Sequence, residues 1–327
     1  MRTCVTAESL LVGDVGGTHT RLALACVDTA GHWRISQRRD VGGNFPDFRT
    51  VLRTYFERTG MTPPGGAVIA AAGPVRDGEV LLTNRALRIS RTELTDFGFT
   101  RVAVLNDFAA LAYATQVLEP ADVRLIGPAC EPREGEPVTV LGAGTGFGVS
   151  CLVRDRGHCI ALTTEGGHIG FAPTDAQQVA VLSWLQQRLE RVSVERILSG
   201  PGLESLHTAL QQLAGLAPDG RNAEQISGAA LAGDVLCRAT LSMFCCIYGA
   251  VAGDLALVHG ARGGVYIGGG IALKIEKFLC TSAFREHFER KGRMSSYVKA
   301  IPTRLILHPD ATLLGAAYAG SHRWGPA

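Results

Sequence analysis

Lysine is scarce in this 327-residue chain: only Lys274, Lys277, Lys291 and Lys299 occur. None follows a G-x-x-x-x-G, which excludes a Walker A loop, and none lies on an early strand, where a protein kinase needs one. The G-x-S-x-G elbow of the common serine hydrolases is missing. So is a strict G-x-G-x-x-G; Gly142, Gly144, Gly146 and Gly148 are spaced by two, which fails the dinucleotide fingerprint. The nine cysteines form no C-x-x-C and are odd in number. Several, including Cys26, Cys151 and Cys245, sit inside apolar runs, where a thiol behaves as a small hydrophobe. That usage points to reduced cysteines in a reducing compartment and to no structural zinc.

An excess of one charge is also lacking. The formal net charge is +2, with no cluster of Lys and Arg, which speaks against a nucleic-acid or membrane-surface partner. Long apolar runs are absent too. The most apolar, Leu241 to Gly253, stops at Asp254, short of the roughly 18 residues a spanning helix requires, so it reads as a buried helix. The stretch before Leu10 carries no signal-peptide pattern, and a cytoplasmic location is expected. With 46% hydrophobic and 19% charged residues the composition is that of a globular protein. The length points to two domains, because single cores stop growing near about 250–300 residues.

Glycine is what the chain has in plenty, 40 residues, concentrated at Gly13 to Gly17, Gly142 to Gly148 and Gly263 to Gly270. Each site adjoins an apolar β-type run. The first reads strand, glycine turn, strand, a third strand near Trp33 to Arg39, then a helical stripe of Phe48, Val51, Leu52, Tyr55 and Phe56. The same order returns from Val138: strand, Gly142-Ala143-Gly144-Thr145-Gly146, strand, strand from Cys159 to Thr163, and a helix bearing Val179, Leu182, Leu185 and Leu189. An internal repeat of this kind implies two similar lobes and a cleft between them. One turn carries Asp14; the other carries Ala143 and Thr145 and no acid. The pair suits a metal-bound polyphosphate, with backbone N–H groups and the Thr hydroxyl on phosphate oxygens and Asp14 on Mg²⁺ through water. Taken singly, each turn equally fits a tight β-hairpin.

Three polar segments carry the remaining chemistry. Asn106-Asp107 closes the apolar run Val102 to Leu105 and opens a helix. A carboxylate there can accept a hydroxyl proton, or serve as an N-cap. Glu165-Gly166-Gly167-His168 brackets two glycines with hydroxyl-binding side chains, or is an ordinary polar loop. Glu195 looks locally like a solvated helix glutamate. Gly268-Gly269-Gly270 ends a strand and lets a flat base lie against backbone, or is simply a tight strand–helix loop.

In order along the chain, Gly13-Asp14-Val15-Gly16-Gly17-Thr18 with Arg21, Asn106-Asp107-Phe108, Gly142-Ala143-Gly144-Thr145-Gly146, Glu165-Gly166-Gly167-His168, Glu195-Arg196-Ile197-Leu198-Ser199-Gly200-Pro201-Gly202 and Gly268-Gly269-Gly270-Ile271 resemble the bacterial glucokinase family. The likeness runs from about Leu10 to Gly320. It implies ATP-dependent phosphorylation of the glucose 6-hydroxyl, with Asp107 as general base. Asn106, Glu165, His168 and Glu195 then match glucose ligands, and Asn84, in Thr83-Asn84, a further one in the smaller lobe. Gly13 to Thr18 matches the first phosphate loop, Gly144-Thr145 the second, and Gly269-Gly270 the adenosine turn. ATP and Mg²⁺ are the implied cofactors, and the family suggests a homodimer.

The implied fold is α/β: two ribonuclease-H-like, actin-like ATPase domains, with residues 1–117 plus 308–327 in the smaller and 118–307 in the larger. A long helix near Leu231 to Leu257 is expected as the larger lobe's core, and a C-terminal helix over Ala311 to Gly320 in the smaller. His19 and Leu87 depart from the family pattern, which has Asn and Trp there. The ROK sugar kinases and repressors share a Glu-x-Gly-His element but add a zinc-binding Cys-x-Cys-Gly motif that this chain lacks, which favours the non-ROK branch. An actin- or chaperone-like ATPase would need both phosphate loops but not Glu165, His168 and Glu195 together. A sugar-sensing module would not need Asp107.

Overall fold

The computed structural model describes residues 9–17, 19–43, 45–82 and 86–324. Thr18 and the Thr83-Asn84 pair lie outside the described residues. The apolar runs of the N-terminal part become β1 (Leu10–Val15), β2 (Thr20–Val27), β3 (Trp33–Asp40), β4 (Gly66–Ala71), β5 (Glu79–Leu82), β6 (Leu87–Ser90) and β7 (Arg101–Asn106). Among the described residues, five of these form a sheet in the order β3-β2-β1-β4-β7, and β5 pairs with β6 apart from it. β1 and β2, and β2 and β3, run antiparallel; β1, β4 and β7 run parallel. β4 reads Gly-Ala-Val-Ile-Ala-Ala and is buried throughout, as a central parallel strand covered on both faces demands. The helix Phe48–Thr59 starts on the Asp47 cap, which accepts from the Thr50 N–H at 2.7 Å, and ends at Gly60 in the left-handed region. Its buried stripe is Phe48, Val51, Leu52, Tyr55 and Phe56, the one read from the sequence.

The later strands are β8 (Val123–Leu125), β9 (Val138–Ala143), β10 (Phe147–Asp155), β11 (His158–Thr164), β12 (Gly264–Gly268) and β13 (Thr303–Ile306). Their order is β11-β10-β9-β12-β13-β8, with β9, β12 and β13 parallel and β8 antiparallel to β13. The first five positions repeat the order of the first sheet. The repeat seen in the glycine turns is therefore a repeat of topology, extended by one edge strand.

The chain divides into two compact units. One comprises the residues up to Asp122, Leu152–Thr163 and the residues from His308; the other comprises Val123–Cys151 and Thr164–Leu307. Residues 152–163 thus group with the first unit, although they fall within the span 118–307 expected for the larger lobe.

The long core helix of the second unit differs from expectation. It spans Val235–His259, and Leu231 belongs to the preceding helix, Ala223–Ala232. Gly233 breaks the two apart in a left-handed conformation, and Asp234 starts the second by accepting from the Cys237 N–H at 2.9 Å. By length and composition alone Val235–His259 does reach the span of a membrane helix, contrary to the reading of its Leu241–Gly253 run. However, 72% of its most apolar stretch is buried within the protein, where Phe244, Tyr248 and Ala252 are fully enclosed.

In the first unit the C-terminal helix runs from Ala311 to Trp324, one turn beyond the expected end. Gly315 lets it press on the helix Asp107–Ala114, because a Cβ there would run into the Ala110 carbonyl oxygen. Gly315→Ala should push the two helices apart and destabilise the fold by about 1–3 kcal/mol, the usual cost of overpacking. Urea unfolding of the variant checks this; an unchanged midpoint would show that the contact yields freely.

Candidate active site

β1, β4 and β7 end level with one another: Val15 pairs with Ala71, and Ala71 with Asn106. In parallel α/β sheets, the crevice beyond the carboxyl ends of the strands is where polar side chains meet ligands. Asp14 sits one residue before the end of β1, Asn106 at the end of β7 and Asp107 just past it.

At the end of β7 the capping falls to Asn106. Asn106 is the N-cap of the helix Asp107–Ala114: its Oδ1 accepts from the N–H groups of Phe108 at 3.0 Å and Ala109 at 3.1 Å. Its Nδ2 donates to the Gly73 carbonyl at 3.2 Å, and its side chain also hydrogen-bonds the Asp107 carboxyl, which opposes the rise of that group's pKa. Asp107, at the first helical position, is relieved of capping; its Oδ1 accepts from the Phe108 N–H at 3.0 Å. Burial, and after it the Asp14 carboxylate, push Asp107 up to about 7, against the pull of the Phe108 N–H. A carboxylate so tuned is matched to a general base working near neutrality.

Asp14 is raised as well, by burial, with Arg21 opposing from 3.4 Å. Asp14, a hard carboxylate that burial makes costly to ionise alone, fits an outer ligand of a Mg²⁺ ion, which uses one or two carboxylates plus substrate phosphates and keeps its waters. Among the described residues no group of three or more His, Cys, Asp or Glu could hold a metal by itself.

Of the first glycine loop, Gly13 and Val15 are buried within β1, and a Cβ on Gly13 would stand 2.8 Å from Ile69 Cδ1 and 2.9 Å from Leu22 Cδ2. Val15 pairs with Thr20, and the Gly16 N–H donates to the His19 carbonyl at 2.9 Å. The departure at position 19 has a local consequence. The exposed imidazole places Nδ1 2.9 Å from Asp40 Oδ2 and so ties the turn to the end of β3.

The second unit gathers the other residues singled out in the sequence. Gly268 of β12 pairs with Gly142 of β9, which sets the turns Gly144–Gly146 and Gly269–Gly270 side by side. Gly269 has φ +86°, and a Cβ there would collide with the Ala143 carbonyl, so only glycine fits. Gly270 and Thr145 are exposed. Gly144 donates to the Gly146 carbonyl and its own carbonyl accepts from Gly200 N–H, both at 2.8 Å.

Glu165 and His168 are exposed on either side of the turn Gly166–His168, with Oε2 and Nε2 3.8 Å apart. Gly166 and Gly167 press that turn onto β10: Cβ atoms there would meet the Val149 side chain and the Phe147 carbonyl. Glu195 lies on the neighbouring turn Val194–Arg196, joined to the first by a bond from the Val194 N–H to the Ile169 carbonyl at 2.9 Å. Its Oε2 accepts from the Phe147 N–H at 2.9 Å.

Sequence reading missed two residues. Phe147 contacts both polar turns through its backbone, and Tyr248 packs on its ring at 5.6 Å while its hydroxyl accepts from the Ala143 N–H at 3.2 Å. Tyr248 sits mid-helix in an apolar stretch with no local pattern to mark it.

A family model described as Glucokinase matches residues 11–323. The chain belongs to the glucokinase family. It is 44% identical over 310 residues to a glucokinase of Caulobacter sp. (strain K31), covering 94% of each chain. A crystal structure of glucokinase from an Antarctic psychrotroph is similar at a TM-score of 0.87 and 36% identity, over 95% of this chain and 98% of that one. A ROK family glucokinase from Streptomyces griseus, solved with glucose and AMPPNP, shares the fold at a TM-score of 0.63 and 22% identity, over 94% of this chain and 98% of that one.

The raised pKa of Asp107 makes stability depend on pH with a definite sign. The folded protein holds a proton that the unfolded chain releases above the ordinary carboxylate range, so this contribution is full in acid and is lost as pH rises through about 7. Asp107→Asn removes the dependence. Without magnesium and nucleotide, the melting temperature of the variant relative to the parent should rise from about pH 5 to about pH 8. A constant difference across that range would show that Asp107 titrates normally.

Proposed function

We propose that the chain transfers the γ-phosphoryl group of MgATP to the 6-hydroxyl of glucose, giving ADP and glucose 6-phosphate, with Asp107 as the base. Membership in the glucokinase family supports the reaction. The observation that carries the mechanism is the freed carboxylate at the end of β7, poised near 7 while its neighbour caps the helix.

Phosphoryl transfer asks little covalent work of a protein; positioning and charge stabilisation dominate. Asp107 orients the 6-hydroxyl and takes its proton as the oxygen attacks. Asn106, Glu165, His168 and Glu195 hold sugar hydroxyls, and Asn84, outside the described residues, is read with them from the sequence alone. The turn after β1, with Thr18, and the turn at Gly144-Thr145 hold the phosphates, and Gly269-Gly270 the adenosine. Gly13 and Val15 contribute by letting β1 pack tightly enough to carry Asp14. Asp14 would hold Mg²⁺ through water, where the ion supplies charge neutralisation to the β- and γ-phosphates.

We take the two units as the two lobes of an actin-like ATPase architecture with ribonuclease-H-like sheets; the repeated strand order supports this. The missing Cys-x-Cys-Gly motif supports the non-ROK branch. Cys130, Cys151, Cys159, Cys237, Cys245, Cys246 and Cys280 are thiols, in keeping with a cytoplasmic enzyme. We read the enzyme as a homodimer with no nucleic-acid or membrane partner.

Asp107→Ala should fold and bind ATP while its turnover falls about 10²–10⁴-fold, the usual worth of a positioned base. A coupled assay over a panel of hexoses and phosphate donors measures it. Near-normal turnover by the variant removes Asp107 from the mechanism, and a parent enzyme that prefers another hexose replaces glucose in the reading.

A further inference from the structure

Glu195 is committed twice. One carboxylate oxygen, Oε2, accepts from the Phe147 N–H at 2.9 Å. Phe147 is the first residue of β10, directly after the turn Gly144–Gly146. That turn is otherwise held by the 2.8 Å bond from Gly144 N–H to the Gly146 carbonyl and by the 2.8 Å bond from Gly200 N–H to the Gly144 carbonyl. The glycine at 146 is fitted to the arrangement: a Cβ there would stand 2.5 Å from Glu195 Oε2. Glu195 is itself fixed from behind, because the Ser199 hydroxyl donates to its carbonyl at 2.8 Å while capping the helix Gly200–Leu213. The side chain is therefore seated on a rigid turn, with one oxygen on the backbone of the glycine loop and partial exposure to solvent.

We propose that Glu195 is a positioning residue for the second phosphate loop as well as a sugar contact, so that one carboxylate ties a bound hexose hydroxyl to the backbone that receives the triphosphate. This rests on the reading of Glu195 and of Gly144-Thr145 given above. A carboxylate accepting from a backbone N–H is a charge-assisted bond, stronger than a neutral one. Losing it leaves the Phe147 N–H without its acceptor and frees the turn to wander. Nucleotide binding then has to order a loop that the parent enzyme holds ready. The link lies wholly within the second unit and needs no movement of one unit against the other.

The test is calorimetric titration of the full chain with magnesium AMPPNP in the absence of any sugar, alongside the steady-state KM for glucose. A residue that only touches sugar leaves the sugar-free titration unmoved. Glu195→Ala should weaken sugar-free nucleotide binding about tenfold, the scale of one lost charge-assisted hydrogen bond. Gly146→Ala, which keeps the carboxylate but occupies its place, should do the same. Glu195→Gln retains an oxygen acceptor for the Phe147 N–H. It should bind nucleotide within about twofold of the parent while its KM for glucose rises, since the charge-assisted hydroxyl contacts are gone.

Parent-like nucleotide binding by both alanine variants overturns the proposal and leaves Glu195 a sugar contact alone. If Glu195→Ala does not fold, the glutamine variant and Gly146→Ala decide by the same criterion. Weakened nucleotide binding with an unchanged KM for glucose removes the sugar half of the link and overturns the proposal from the other side. A parent chain that binds no nucleotide overturns it together with the reading beneath it.

Discussion

The candidate catalytic centre depends on which of two adjacent side chains satisfies the start of one short helix. A helix N-terminus exposes N–H groups that need acceptors, and both Asn and Asp are good at supplying them. At the end of β7 the task falls to Asn106, whose oxygen takes the N–H groups of Phe108 and Ala109. Asp107 is consequently left with a carboxylate that is costly to ionise, because it is buried and faces the charge of Asp14. Were the helix to begin one residue later, Asp107 would stand at the cap and accept from the N–H groups of Ala109 and Ala110, which favours its ionised form. The level ends of β1, β4 and β7, and the close approach of the C-terminal helix at Gly315, fix that register.

The second unit uses glycine for a different purpose. Gly166, Gly167 and Gly269 sit where any Cβ would collide with a neighbouring strand, so their value lies in close approach. The result is a small area around Phe147 in which two polar turns and one glycine loop share backbone contacts. Phe147 donates to Glu195, its carbonyl backs Gly167, and its ring packs on Tyr248. Polar side chains on turns are ordinarily mobile; here the turns are bonded to each other and to a strand, which gives Glu165, His168 and Glu195 a common rigid base.

The two units are built on one plan. The two sheets share a strand order, and in each the glycine turn follows the strand at the third position, β1 in one and β9 in the other. They differ in what stands beside the turn: Asp14 and the β7 acid in one, a neutral turn with Glu165, His168 and Glu195 nearby in the other. The acid and the exposed polar side chains stand in different surroundings. Burial raises a carboxylate toward neutrality in the first, while exposure suits hydroxyl contacts in the second.

Period and composition alone determined the helix stripe from Phe48 to Phe56, the paired glycine turns and the chain position of every polar segment, because these are properties of neighbours in sequence. The same local view misplaced the start of the long core helix. Apolar periodicity runs on through Leu231, whereas the break depends on Gly233 turning left-handed and Asp234 capping afresh. Glu195 shows the limit most clearly: beside Arg196 and Ile197 it looks like a surface glutamate, and its partner Phe147 lies 48 residues earlier. Which of Asn106 and Asp107 caps, which glycines bend and which merely make room, and which carboxylate is forced toward neutrality were all decided by the tertiary structure. Each depends on burial and on partners distant in the chain, and neither is written in the spacing of residues along it.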